Sequence, residues 1–263
     1  MRILIPLLLL CVSLPSWAQR QFDIEVIIFK RNVDAENTSE SWPNHLPAIE
    51  MSNVGSLQSD AYLQSKEVTL LPASDYQLNA QKEKLDRHAG FEVLNHIAWR
   101  QDDRGRASAP VFRILGGHDY SDQYHADGSE KHGSTAAITD DGFVEQTIDA
   151  PLYELDGKLQ IYVQHYLFAE TTLDLRQPSV REVHIEDQTT TEPITLAEDQ
   201  INVQEESDST VQVGHLADIA PTVTEEKFLK SYRMEQKRRM RSGETHYLDN
   251  PLMGMIIQVR RVE

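Results

Sequence analysis

Phe22 to Phe29, FDIEVIIF, constrains the fold more than any other stretch of the chain. It alternates at first and then turns wholly apolar, with β-branched residues at Ile24, Val26, Ile27 and Ile28. Branching at Cβ favours extended backbone, so this text predicts a central strand. The chain is therefore expected to fold around a sheet.

What precedes that strand reads as an export signal. Arg2, the apolar run Ile3 to Val12 and the small-residue site Ser16-Trp17-Ala18 predict a secretory signal peptide over 1–18, with the mature chain starting near Gln19. No later segment approaches the ~20 apolar residues of a transmembrane helix, so the mature protein is expected to be exported and soluble. Cys11, the only cysteine, lies inside the signal behind Leu8-Leu9-Leu10, without the small residue that a lipoprotein site wants there. No lipid anchor and no disulfide are expected, and stability must come from a hydrophobic core.

The chain carries 25 Lys and Arg against 42 Asp and Glu, a formal net charge of −17, and loss of Arg2 with the signal makes this −18. Such a field repels polyanions and argues against generic nucleic-acid binding. The charge is also segregated. Glu182 to Glu226 holds twelve acids and no Lys or Arg, whereas Lys227 to Arg241 holds seven bases against the single acid Glu235.

Other elements follow from pattern. Asn32 to Asp60 reads as a long polar loop, in which Trp42 is either a ligand platform or, more blandly, a ring pinned over the core. Asp75 to His88 predicts a helix stopped before Gly90. Phe91 to Arg100 predicts a strand with Phe91, Val93, Ile97 and Trp99 on one face, which makes a β-α-β start plausible. Val111 to Leu115 reads as a short strand closed by Gly116-Gly117. Leu159 to Phe168 and Thr171 to Leu175 also read as strands. If Leu152 to Leu155 is extended, Asp156-Gly157 makes the turn of a hairpin before them. The acidic segment, near 182–226, is close to disorder in composition, and Ile194–Leu196 and Val211–Val213 within it read as short edge strands.

Lys227 to Arg241 fits two periods. A helix would have Thr222 and Glu225 as a capping box and Gly243 beyond its end. A strand would place Phe228, Tyr232, Met234 and Met240 on one face and Arg233, Glu235, Lys237, Arg239 and Arg241 on the other. The strand is preferred, because the alternation continues through Thr245 and Tyr247, past the glycine that would stop a helix. Asp249-Asn250-Pro251 then turns the chain into a last strand, Met253 to Val259. The expected class is α+β: a mainly antiparallel sheet with one or two helices and long polar loops, in a single domain over 19–263.

Little in the text points to catalysis. There is no mature cysteine, no G-x-S-x-G elbow and no serine in a lysine or histidine signature. His118, His125 and His132 recur at a spacing of seven among acids, yet no ligand motif has that spacing, and a solvated acidic loop is preferred over a metal site. No cofactor is expected. The basic strand either neutralises the acidic segment or presents outward arginines to ligand carboxylates, which guanidinium grips bidentately. On the second reading the candidate ligand-binding residues are Arg238, Arg239, Arg241, His246 and Tyr247. Peptidoglycan is the abundant carboxylated polymer of the periplasm, and its sugars can stack on an aromatic such as Tyr247 or Trp99.

The text RRMRSGETHYLDNP, with FDIEVIIFKR, GFEVLNHIAWRQ and LDGKLQIYVQHYLF, resembles the CsiV family of gammaproteobacterial periplasmic proteins. The resemblance covers most of the mature chain, with the C-terminal motif as its specific part. It implies a non-enzymatic peptidoglycan-binding protein that promotes cell-wall synthesis. The implied partner is LpoA, the outer-membrane lipoprotein activator of a class A penicillin-binding protein. It carries over no catalytic residue. A cell-wall hydrolase and a purely structural envelope protein remain the alternatives.

Overall fold

The computed structural model describes residues 20–131, 150–184 and 223–262. The expected signal peptide, His132 and most of the acidic segment lie outside them. Among the described residues ten strands run in chain order: β1 Gln21–Arg31, β2 Gly55–Ser56, β3 Thr69–Leu70, β4 Phe91–Asp102, β5 Val111–Asp119, β6 Tyr153–Val163, β7 Leu167–His184, β8 Val223–Met240, β9 Thr245–Asp249 and β10 Met253–Arg261. Two α-helices, α1 Asp60–Ser65 and α2 Asn79–Arg87, lie between β2 and β4. The α+β, sheet-rich class holds.

The strands form two five-stranded sheets, ordered β3-β4-β1-β10-β9 and β2-β5-β6-β7-β8. β1 sits at the centre of the first, antiparallel to both β4 and β10. The strand-helix-strand opening is thus an antiparallel pair, not a parallel β-α-β unit. In the second sheet β5, β6 and β7 are antiparallel neighbours, and the short β2 runs parallel to β5. The main core draws Ile24, Val26 and Ile28 of β1, Trp99 of β4 and Met255, Ile257 and Val259 of β10 together with Phe112, Leu159, Leu173 and Met234 of the other sheet. The two sheets therefore share one apolar interior, as in a sandwich. On its other face β1 places Ile27 and Phe29 against Leu78 and Leu85 around α2. This second cover is why the FDIEVIIF text is apolar on both faces.

Several turn and face assignments differ from the sequence expectation. The β1–β4 register shifts at Ile28/Phe29, so that Leu94 is an extra residue in β4. Phe91 and Val93 consequently pack toward α2, whereas Trp99 joins the inter-sheet core. Asp156-Gly157 is no turn: it lies within β6, where the Asp156 carboxylate accepts from Arg113 at 2.9 Å and Arg176 at 3.1 Å. A Cβ at Gly157 would meet the Thr172 carbonyl oxygen at 2.2 Å, so glycine is there for close strand approach. The true hairpin falls between β6 and β7, where Gln164 N–H donates to Tyr166 O at 3.0 Å, inside the text read as one strand. Gly116 and Gly117 likewise continue β5, and a Cβ on Gly116 would meet Leu94 O at 2.4 Å. The predicted helix over 75–88 shrinks to α2: Asp75 ends a short 3-10 turn, Tyr76 is extended, and the N–H groups of Gln77 and Leu78 donate to the Glu25 carboxylate.

The Lys227–Arg241 stretch is a strand, and its apolar face is as expected: Phe228, Tyr232, Met234 and Met240 are buried. The alternation does not run on into Thr245 and Tyr247 as one strand, however. Gly243, at φ +86°, turns the chain after β8, and β9 joins the opposite sheet.

Contacts divide the chain into two units, Met1–Ser179 with Phe228–Glu263, and Val180–Lys227. The sandwich belongs to the first. In the second, Arg181 Nε donates to Glu226 Oε2 at 2.9 Å.

Candidate functional site

β8 is an edge strand of its sheet, and strand alternation sends Arg233, Lys237 and Arg239 to the face opposite the core. Arg233 is fully occupied there, gripping Asp174 through two bonds of 2.7 and 2.8 Å. Lys237 lies over the rings of Phe168 and Tyr162, 5.3 and 5.7 Å from their centroids, with Glu170 at 4.0 Å. Arg106 also holds Glu170, and it is the main reason that this carboxyl stays below the usual carboxylate range. Further along, the Arg239 guanidinium stacks 4.5 Å from the centroid of Tyr166, a ring left 55% exposed at the β6–β7 hairpin.

Most arginines of this acidic protein are matched to a carboxylate: Arg100 to Asp23, Arg104 to Glu67, Arg113 to Asp156 and Arg260 to Glu25. Arg238 and Arg239 have no carboxylate partner among the described residues. Arg241 has a loose one, with Nη1 3.6 Å from Glu244 of the same turn. This end of β8 therefore offers guanidinium donors that the described fold does not use.

The other two candidates are placed differently. The His246 ring, its side chain 13% exposed, turns back to accept the Arg241 N–H at 3.1 Å, so it braces the turn. Tyr247 points to the opposite face of β9 from the buried Leu248. Its hydroxyl accepts from Arg31 Nη2 at 2.6 Å and donates to Asp249 Oδ1 at 2.8 Å. The five residues thus separate into the arginine end of β8, a bracing histidine, and a tyrosine on the α2 side of the first sheet. Pattern reading missed Tyr166 and Arg31, and it placed Lys237 only as an outward base and Asp249 only as a turn residue. Tyr166 was hidden because its hairpin contains no glycine, proline or asparagine to mark it.

Trp99 cannot stack on a sugar: it is 0% exposed, edge-on to Phe112 at 5.2 Å, with its Nε1 donating to Gln101. Trp42 takes the pinned role, edge-on to Tyr232 at 5.4 Å with Nε1 bonded to Thr38 Oγ1. His118 packs against the Tyr120 ring. Among the described residues no group of three or more His, Cys, Asp or Glu is placed to hold a metal.

A further polar centre is wholly internal. Glu25, 0% exposed in the central strand, accepts from the backbone N–H groups of Gln77 and Leu78 at 2.7 and 2.9 Å. It also bonds His96 Nε2 at 2.9 Å and Arg260 Nη1 at 3.0 Å. Burial pushes its carboxyl up, but these bonds outweigh burial and hold it at about 2. With its acceptors filled from within the fold, this carboxylate joins β1 to the start of α2 and has none to spare for a ligand.

Among the described residues no helix is long and apolar enough to cross a membrane. No curated protein and no solved structure matches the chain. A family model does match, over residues 2–262, and on that near-complete coverage the chain belongs to the CsiV family of peptidoglycan-binding proteins.

Proposed function

We propose that the protein is a periplasmic, non-enzymatic peptidoglycan-binding protein that promotes cell-wall synthesis through LpoA, the lipoprotein activator of a class A penicillin-binding protein. The mature chain, 19–263, acts as one domain carrying the acidic segment near 182–226. The observation that carries the site is the pair Arg238 and Arg239, without carboxylate partners among the described residues of a chain with 42 acids. Stem peptides bear free carboxylates, and planar guanidinium groups grip them through paired hydrogen bonds. Tyr166 pre-orders Arg239 by stacking, and His246 braces the main chain at Arg241, which lowers the entropy lost on binding. Binding the wall with one surface and LpoA with another raises the local concentration of the activator or favours its active conformation.

The test is co-sedimentation of the purified mature protein with isolated sacculi. Wild type should pellet, and the triple variant R238E/R239E/R241E should stay largely in the supernatant. Equal pelleting of the two would remove the arginines from the site. Soluble muropeptides released during incubation would indicate a hydrolase instead. Failure to pellet, together with failure to retain LpoA on immobilised protein, would leave a purely structural envelope role.

A further inference from the structure

Tyr247 is an exposed aromatic ring that the fold holds flat and rigid. It is 43% exposed, yet its hydroxyl is fixed by Arg31 and Asp249, and its plane lies within 6° of the buried Phe29 ring at a centroid distance of 6.2 Å. Gly254, opposite Asp249 in β10, makes room for this pose. A Cβ there would meet Phe29 Cζ at 2.5 Å and the Tyr247 hydroxyl at 2.9 Å. A tyrosine needed only for packing would bury its face. Here the ring lies parallel to the buried Phe29 ring and offset from it, and the residue stays 43% in solvent.

The neighbours define what that surface fits. On the same face of β9, Thr245 and Asp249 flank Tyr247, each roughly 7 Å away along the strand. Gln258, across from Thr245 in β10, donates to the Thr245 hydroxyl at 3.0 Å. An apolar ring face bordered at both ends by polar groups matches a pyranose, which has an apolar C–H face and a rim of hydroxyls. The local charge is balanced, because the Arg31 guanidinium is already joined to Asp249 and to the Tyr247 hydroxyl. An anion gains little here. A protein partner would need a wider apolar patch than one ring with a polar border supplies.

We infer that Tyr247, with Thr245, Asp249 and Gln258, forms a neutral-saccharide subsite that stacks an N-acetylhexosamine of a glycan strand. The subsite is separate in chemistry from the arginine end of β8: one takes sugar and the other takes carboxylate. The choice of sugar rests on the peptidoglycan reading above, whereas the stacking geometry does not.

The test uses a neutral β-1,4-linked N-acetylglucosamine tetramer, which lacks stem peptides, titrated into the full mature protein by calorimetry. Wild type should bind it, and Y247A roughly tenfold or more weakly. Saturation-transfer NMR on the wild type should show the strongest transfer at the C–H protons of one sugar face. This reads the stack without any variant, should Y247A fail to fold. Absence of tetramer binding, or unchanged affinity in folded Y247A, overturns the subsite. If sacculi still pellet with wild type in that case, only the subsite has failed. If they do not, the peptidoglycan reading has failed with it.

Discussion

At Glu25 a single carboxylate in the middle of a hydrophobic strand is held charged by four donors, and this makes stability depend on pH in a defined direction. Its folded pKa is depressed from 4.5 to about 2, so its contribution is fully present above pH 4.5 and is lost as pH falls from 4.5 toward 2. The difference corresponds to roughly 3 kcal/mol. E25Q should lose about that much stability at pH 7, since it leaves Arg260 and His96 facing a neutral group. Urea unfolding at several pH values should give a flatter acid limb for the variant than for wild type, and parallel limbs would contradict the assignment. Gly157 sets a different residue-level limit. G157A drives a methyl group into the Thr172 carbonyl oxygen, and overpacking of this kind costs about 1–3 kcal/mol. G243A meets nothing within 4 Å and should cost only the positive-φ penalty of roughly 1–2 kcal/mol. A larger shift in urea midpoint for G243A than for G157A would reverse that ranking.

Among the elements, α2 shows how a short helix depends on its neighbours. Its N-cap residue, Leu78, makes no side-chain capping bond, and the Glu25 carboxylate of β1 accepts from the N–H groups of Gln77 and Leu78 at the entry to the helix. Leu78, 1% exposed, is then its main apolar anchor against Ile27 and Phe29. L78A should cost about 2–5 kcal/mol and raise amide hydrogen exchange in α2 before exchange rises in β1. Simultaneous loss of protection in both would show that the helix and the strand open as one unit. β8 and β9 behave as two elements because Gly243 lets the chain cross from one sheet to the other. That crossing separates the arginines of β8 from Tyr247, although only a few residues lie between them in sequence.

For the whole molecule, the shared interior implies that the two sheets stand or fall together. Trp99 of the first sheet meets Phe112 of the second, and Gln101 bridges them by accepting from Trp99 and donating to Ile161 O at 2.9 Å. Lys30 of β1 adds a bond to Glu154 of β6 at 2.8 Å. W99A should cost about 3–5 kcal/mol and leave a single unfolding transition, the same by far-UV dichroism and by fluorescence of Trp42, the tryptophan that remains in 19–263. Two separated transitions would mean that the sheets fold independently. The class, the central place of Phe22–Phe29, the extended form of Lys227–Arg241 and the closing hairpin are all legible in the chain's text. These are written in local alternation and in turn residues, which act between near neighbours. The text also carries the family signature. Folding in three dimensions settled the rest: there are two sheets, Asp156-Gly157 runs straight through a strand while Gln164–Tyr166 turns, and Trp99 is interior. It alone put Tyr166 beneath Arg239 and Arg31 beside Tyr247. Such pairings join residues far apart in the chain, and no local period records which strand will lie next to which.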